Sequence, residues 1–165
     1  MKTSTVFISI LLMAGLLTLF AQDRISYGGM EVNYERVGDS LDISLRAPTQ
    51  GWLALGFNEQ NDIIGSDLKM MAVVDGNVIV DDQWVTAPRV HPSDETMAGQ
   101  TNIRVLSAQE TNTYTHFRLR LPLATPDRND LALKAGKSLW LIMAYSVSDD
   151  FEHHSRMRKH FLITL

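Results

Sequence analysis

Apolar and polar residues alternate with a period of two along most of the chain after residue 25. Met30, Val32 and Tyr34, for example, alternate with charged or polar neighbours, and Leu41, Ile43 and Leu45 repeat the pattern after a Gly-Asp break. Such alternation predicts antiparallel strands with one buried and one solvated face. Turn residues separate about ten such runs, and no amphipathic helix of ten or more residues is predicted. The sequence therefore predicts an all-β fold, a sandwich or barrel.

The stretch from Gly51 to Trp84 organises the rest of the chain. It begins with GWLALGF (51–57), which has no charge on either face and therefore predicts a strand buried on one side and partly covered on the other. A polar, glycine-containing loop follows at 58–66, and Asp75-Gly76 predicts a tight hairpin further on. A loop held between rigid strands is a suitable place for a ligand-binding group.

Two later segments extend this pattern. Residues 137–147 (KSLWLIMAYSV) are almost entirely apolar and predict a central strand. Residues 86–101 form a long irregular connection, a kind of loop that is often functional in a compact domain.

The N-terminus predicts export. A lysine at position 2 precedes the apolar run 6–20, and Ala21 suits a cleavage site, so residues 1–21 are interpreted as a secretory signal peptide. The alternative is an uncleaved membrane anchor. Residues 22–165 then form one domain, and the absence of cysteine is compatible with a secreted or periplasmic protein, including one at the cell surface.

Composition and motifs argue against several function classes. The net charge of −4 disfavours a nucleic-acid partner. The chain has no cysteine nucleophile, phosphate-binding glycine loop or His-x-x-x-His pair. The pairs Asp81-Asp82 and Asp149-Asp150 would point to opposite faces of a strand, so we interpret them as solvated turn residues rather than acid–base couples. A binding or electron-transfer module is therefore expected rather than an enzyme.

Histidine and methionine are the candidate metal ligands. His153 and His154 lie in the loop before the last strand, where they either bind a metal or simply form an exposed polar loop. Met70 and Met71 must face opposite sides of their strand, and a strand methionine is usually core. The three tryptophans suit a core, or else stacking on a sugar or flat cofactor. Spacing assigns no role to the remaining candidates, His91, Met97 and His116.

Several of these pieces together resemble the DOMON domain family. They are GWLALGF at 51–57, Gly-Ser-Asp at 65–67, the hairpin with Trp84, RLPLATPDRNDL at 120–131, WLIMAY at 140–145, and His154 before the final strand. The resemblance covers nearly all of the predicted mature chain. It implies an immunoglobulin-like antiparallel β-sandwich of about ten strands, which agrees with the periodicity.

The resemblance also implies a cofactor. The family is described as binding haem or sugars in extracellular electron transfer, and its haem-binding members use one axial methionine and one axial histidine. The histidine corresponds to His154, with His153 as the fallback. The methionine position is Ile63 or Ile64 here, and neither side chain can bind iron.

Several site arrangements therefore remain open. Haem b could be held by His154 alone, which would leave an open iron position, or by His154 with a substitute ligand such as Met70 or Lys69. A redox partner anchored in the membrane is then a candidate partner. The alternative is a module without haem that binds a carbohydrate, another small ligand or a protein.

Overall fold

The computed structural model describes residues 23–165, and the predicted signal peptide lies outside them. Ten strands account for nearly all regular structure in this range: β1 Asp23–Tyr27, β2 Met30–Val37, β3 Ser40–Ala47, β4 Leu53–Asn58, β5 Asp67–Val74, β6 Asn77–Trp84, β7 Arg104–Glu110, β8 Thr115–Pro122, β9 Ser138–Tyr145 and β10 Met157–Thr164. A single-turn 3-10 helix, Asp94–Met97, is the only helix in the described part. No helix among residues 23–165 is long and apolar enough to cross a membrane.

The strands form two five-stranded antiparallel sheets, which confirms the predicted all-β sandwich. Sheet A has the order β1-β2-β3-β8-β7, and sheet B has the order β10-β9-β4-β5-β6. The GWLALGF strand, β4, is the middle strand of sheet B, and β9 lies beside it as predicted for a central strand. Apolar groups cover both faces of sheet B at these two strands, which agrees with the absence of charged residues from them.

The main core lies between the sheets. It consists of the alternating apolar side chains that the period of two predicts, including Leu53, Leu55 and Phe57 from β4, each no more than 1% exposed. Their neighbours in sheet A come from β2, β3 and β8. Burial of one complete face of each sheet gives the sandwich its stability.

Sheet B also buries its second face. Trp52, Leu68, Met70, Val85 and the small residues Ala54, Ala72 and Ala144 form a separate apolar group, which we call the outer-face cluster. The corresponding face of sheet A is polar, with Asp42 of β3 paired to Arg120 of β8 at 2.5 and 2.7 Å. Something other than a second sheet must therefore cover the outer face of sheet B.

Asp81 and Asp82 are not the solvated turn residues that the sequence predicted. Both lie inside β6, and Asp82 is fully buried. The register places Asp82 opposite Lys69 and Asp81 opposite Met70, so the two carboxylates face opposite sides of sheet B. The turn lies earlier, at Asp75-Gly76, where both residues have positive φ.

Candidate functional site

A cavity of about 630 Å³ lies on the outer face of sheet B. Its floor is the outer-face cluster, and its walls come from three loops: 58–66, 85–91 and 146–156. The lining residues are Trp52, Ala54, Ile63, Leu68, Met70, Val85, Pro88, Arg89, His91, Ile142, Ala144, Phe151, Glu152, His153, His154, Ser155 and Arg158. An apolar floor with a few polar groups at the walls is typical of a small-molecule or cofactor site.

Asn58 shapes the first loop. Its side-chain amide donates to the carbonyl oxygens of Asp62 and Ile64 at 2.8 and 2.9 Å, at the point where β4 ends. The loop ends at Ser66, whose backbone oxygen accepts a hydrogen bond from Val85 N at 3.0 Å. This fold of the loop places Ile63 in the cavity wall, whereas Ile64 is 42% exposed.

The second loop returns over the outer face immediately after β6. The backbone nitrogen of Trp84 donates to Pro92 O, and that of Thr86 donates to Val90 O, which closes a narrow reversal. Arg89 at its tip has a φ of 65°. The reversal places His91 beside Gln83, and His91 Nδ1 lies 2.8 Å from Gln83 Oε1.

The third loop carries the histidine pair. Trp52 holds its beginning, since Trp52 N donates to Ser148 O at 3.0 Å and Ser146 N donates to Trp52 O at 2.9 Å, and Arg156 N donates to Tyr145 O at 2.8 Å at its end. The hydroxyl of Ser146 donates to His154 O at 3.1 Å. These bonds hold the backbone of an otherwise exposed segment and place His153 and His154 at the cavity wall.

Some of the candidate ligands named from the sequence line this cavity, and others lie elsewhere in the fold. His154, His153 and Met70 line the same cavity, with Met70 in the floor at 2% exposure. Met71 faces the main core, as the alternation requires. His116 lies on sheet A, where its Nε2 is 2.9 Å from Ser44 Oγ, and it has no part in this cavity.

Lys69 cannot be the substitute iron ligand, because its side chain faces the other side of sheet B. Its ammonium lies 2.6 Å from Asp67 and 2.9 Å from Asp130, and it also pairs with Asp82. The three carboxylates have oxygens within 4.8 Å of one another, as a metal site would. The lysine ammonium is the cation they share. Burial lowers the pKa of Lys69, but the three negative charges outweigh burial and hold that pKa above its ordinary value.

Two arginines mark the polar side of the cavity. Arg89 and Arg158 are exposed cationic residues of its lining. The indole nitrogen of Trp52 is buried and donates to no acceptor in the described part of the chain. Buried indole N–H groups usually have a partner, so this nitrogen is an exception within the described part of the chain.

A second cavity, of about 590 Å³, lies near the β2–β3 turn and the C-terminal Leu165. Its lining includes Tyr34, Leu41 and Leu133 but no histidine or methionine. It therefore lacks imidazole and thioether ligands, and its one tyrosine, Tyr34, is only 7% exposed, so the outer-face cavity is the better candidate.

His91 lines the cavity, although the sequence by itself assigns it no role. Its neighbours in the sequence give no ligand spacing, and only the reversal after β6 brings it to the cavity. The length of the 86–101 connection was the one indication that this region has a function.

Comparisons with known proteins agree with this fold. A model of the DOMON domain matches residues 26–146. The cytochrome b domain of pyranose dehydrogenase from Coprinopsis cinerea is similar, with a TM-score of 0.61 and 10% identity over 88% of this chain and 81% of that one. The cytochrome domain of cellobiose dehydrogenase from Myriococcum thermophilum has the same TM-score and identity, over 88% and 82% of the two chains. At this identity the likeness shows a common fold, and no curated protein sequence matches the chain.

Proposed function

The chain belongs to the DOMON domain family, and from this premise we propose that the outer-face cavity binds haem b for electron transfer or haem sensing. The family that the motifs predicted is thus confirmed, and it agrees with the expectation of a binding or electron-transfer module rather than an enzyme. The single observation that carries the proposal is that His154 and Met70, far apart in sequence, line one apolar cavity.

The residues present fit a haem. The cavity volume of about 630 Å³ lies within the range of about 300–1,000 Å³ for cofactor sites. The floor is apolar, the walls supply imidazole nitrogens, and Arg89 and Arg158 suit the two carboxylates of the cofactor. Bound haem supplies an iron centre that accepts and releases one electron.

Each residue has a distinct role in this proposal. His154 binds the iron through its imidazole, which is one of the commonest protein ligands for haem. Met70 would contribute to the apolar floor against which the cofactor is held, through its flexible thioether. The apolar floor would exclude water from the cofactor, which would lower the local dielectric constant and so influence the redox potential.

No specific observation favours a carbohydrate site. Trp52 is only 5% exposed, so its ring belongs to the floor and is not a free stacking platform. Trp84 and Trp140 lie in strands and do not line the cavity. The haem proposal therefore stands ahead of the sugar-binding alternative.

Export and a redox partner are part of the same proposal. The apolar run at 6–20 supports secretion to the periplasm or cell surface. There the module would exchange electrons with a redox partner, for which a membrane-anchored protein is a candidate.

Haem titration of the purified chain tests the proposal. We expect a Soret band that saturates at one haem per chain, and a shifted or lost band in His154→Ala. The matched control is His153→Ala, which removes the neighbouring imidazole and should keep the band. A chain that stays colourless with haem in excess would overturn the proposal, and a His154→Ala protein with an unchanged spectrum would overturn the ligand assignment.

A space-filling variant tests the location independently of any ligand. Ala144 lines the cavity floor at 5% exposure, and Ala144→Phe would fill part of the space. We expect haem uptake to fall while the circular dichroism spectrum of the sandwich is retained. Full haem uptake by Ala144→Phe would place the cofactor elsewhere.

A further inference from the structure

We propose that Nε2 of His91 is the second protein ligand of the haem iron, in the role that Ile63 and Ile64 cannot fill. This inference rests on the proposed function, and it gives the site two imidazole ligands, His154 and His91. Three features of the structure carry it: a fixed amide, a fixed imidazole tautomer, and the place of the ring at the cavity wall.

The first feature is the orientation of the Gln83 side chain. Gln83 lies on the outer face of β6, and its amide nitrogen donates to Asp81 Oδ2 at 2.7 Å. An ionised carboxylate only accepts hydrogen bonds, so the NH₂ end of the amide must face Asp81. The oxygen of the same amide then faces His91, and the amide cannot be reversed without placing two acceptors together.

The second feature follows from the first. His91 Nδ1 lies 2.8 Å from Gln83 Oε1, and an amide oxygen only accepts, so Nδ1 must carry the proton. In the neutral ring the lone pair is then on Nε2. Metal-binding histidines usually donate their other ring N–H to a nearby acceptor in this way, which fixes the tautomer and raises the basicity of the ligand nitrogen.

The third feature is position. His91 is half-buried and lines the cavity, where it faces the same space as His154. Met70, the other candidate, is 2% exposed and packs among the outer-face cluster. The imidazole is therefore both accessible and pre-oriented, whereas the thioether is held in the packed floor.

Spectroscopy of the haem-loaded chain tests the assignment. We expect the wild type to be six-coordinate and low-spin by absorption and electron paramagnetic resonance. His91→Ala should become high-spin and recover the low-spin spectrum when imidazole is added. His116→Ala, which removes a histidine outside the cavity, is the matched control, and Met70→Leu tests the competing ligand; both should keep the low-spin spectrum. The midpoint potential should also lie below that expected for methionine–histidine ligation, because an axial methionine raises it.

The outcomes separate this inference from the proposed function. A wild type that takes up no haem overturns both. A His91→Ala protein that keeps the wild-type low-spin spectrum, or a Met70→Leu protein that becomes high-spin, overturns the inference and leaves the haem module in place. Thermal unfolding of each variant in the haem-free form checks that the sandwich has folded.

Two further measurements test the chain of hydrogen bonds from Asp81 through Gln83 to His91. Nitrogen-15 NMR of the haem-free chain should show that the neutral His91 ring carries its proton on Nδ1, and a neutral ring protonated on Nε2 instead would contradict the argument. Gln83→Leu removes the acceptor but keeps the ring, and we expect haem affinity to fall about 10- to 100-fold, as for other groups that orient a metal ligand. Unchanged haem affinity in Gln83→Leu would show that the hydrogen bond from His91 to Gln83 does not orient the imidazole.

Discussion

Gly51 packs so closely against Ser148 that a β-carbon at position 51 would lie 2.5 Å from the backbone nitrogen of Ser148. The backbone oxygens of Ser146 and Ser148 would both lie 2.7 Å away. No side chain can therefore be added without moving the backbone of the third loop. This contact links the start of β4 to the loop that carries His153 and His154.

Gly51→Ala should accordingly disturb the site and the fold together. The expected loss in the free energy of unfolding is about 1–3 kcal/mol, the usual cost of overpacking, and haem affinity should fall because the third loop is displaced. Urea unfolding and haem titration measure the two effects. Gly38→Ala is the control: a β-carbon there meets nothing within 4 Å, but the φ of 65° should cost about 1–2 kcal/mol. Equal haem affinity in both variants would contradict the proposed link.

We expect Lys69 to be essential for stability, through its ion pairs on the face of sheet B opposite the cavity. Lys69→Met removes the cation shared by Asp67, Asp82 and Asp130 and leaves their charges buried. Breaking a buried pair in this way typically costs about 3–5 kcal/mol, which urea unfolding at neutral pH would detect. Lys137→Met is the control, because its pair with Glu59 is exposed and should contribute little. Similar losses in the two variants would show that the buried cluster has no special role.

Asp94 should make stability depend on pH. Its carboxylate is fully buried with neither oxygen hydrogen-bonded to a described residue, and burial, with a further contribution from Asp82, raises its pKa to about 7. Between its ordinary value of 3.8 and about 7, the folded chain holds a proton that the unfolded chain has released. The contribution of Asp94 to stability is therefore present at low pH and is lost as pH rises through this interval.

Urea unfolding at a series of pH values checks this sign. The free energy of unfolding of the wild type should fall more steeply between about pH 4 and about pH 7 than that of Asp94→Asn, which cannot ionise. Asp67 and Asp82 titrate in both proteins, so the difference between the two curves reports Asp94 together with its interaction with Asp82. The neighbouring exposed residue supplies the control Glu95→Gln, which should follow the wild type. Parallel curves for the wild type and Asp94→Asn would refute the assignment.

Periodicity determined the fold class because a period of two fixes which side chains share a face, independently of how the strands pair. The absence of charge in 51–57 likewise indicated that both faces of β4 would be covered, and both are. The motifs also identified the family and directed attention to His154, which does line the cavity.

The tertiary structure decided what the local pattern could not. Asp82 was misinterpreted as a turn residue because a charged pair in a polar stretch gives no indication of a partner 13 residues earlier. Lys69 and Met70 are adjacent in sequence, and only the packing of sheet B shows that one faces the buried carboxylates and the other faces the cavity. His91 depends on a backbone reversal closed by hydrogen bonds between residues 84–87 and 90–92, which no pattern of residue types in this segment indicates. Alternation along a strand is a local property and is visible in the sequence, whereas the partners across strands and loops are fixed only when the whole chain has packed.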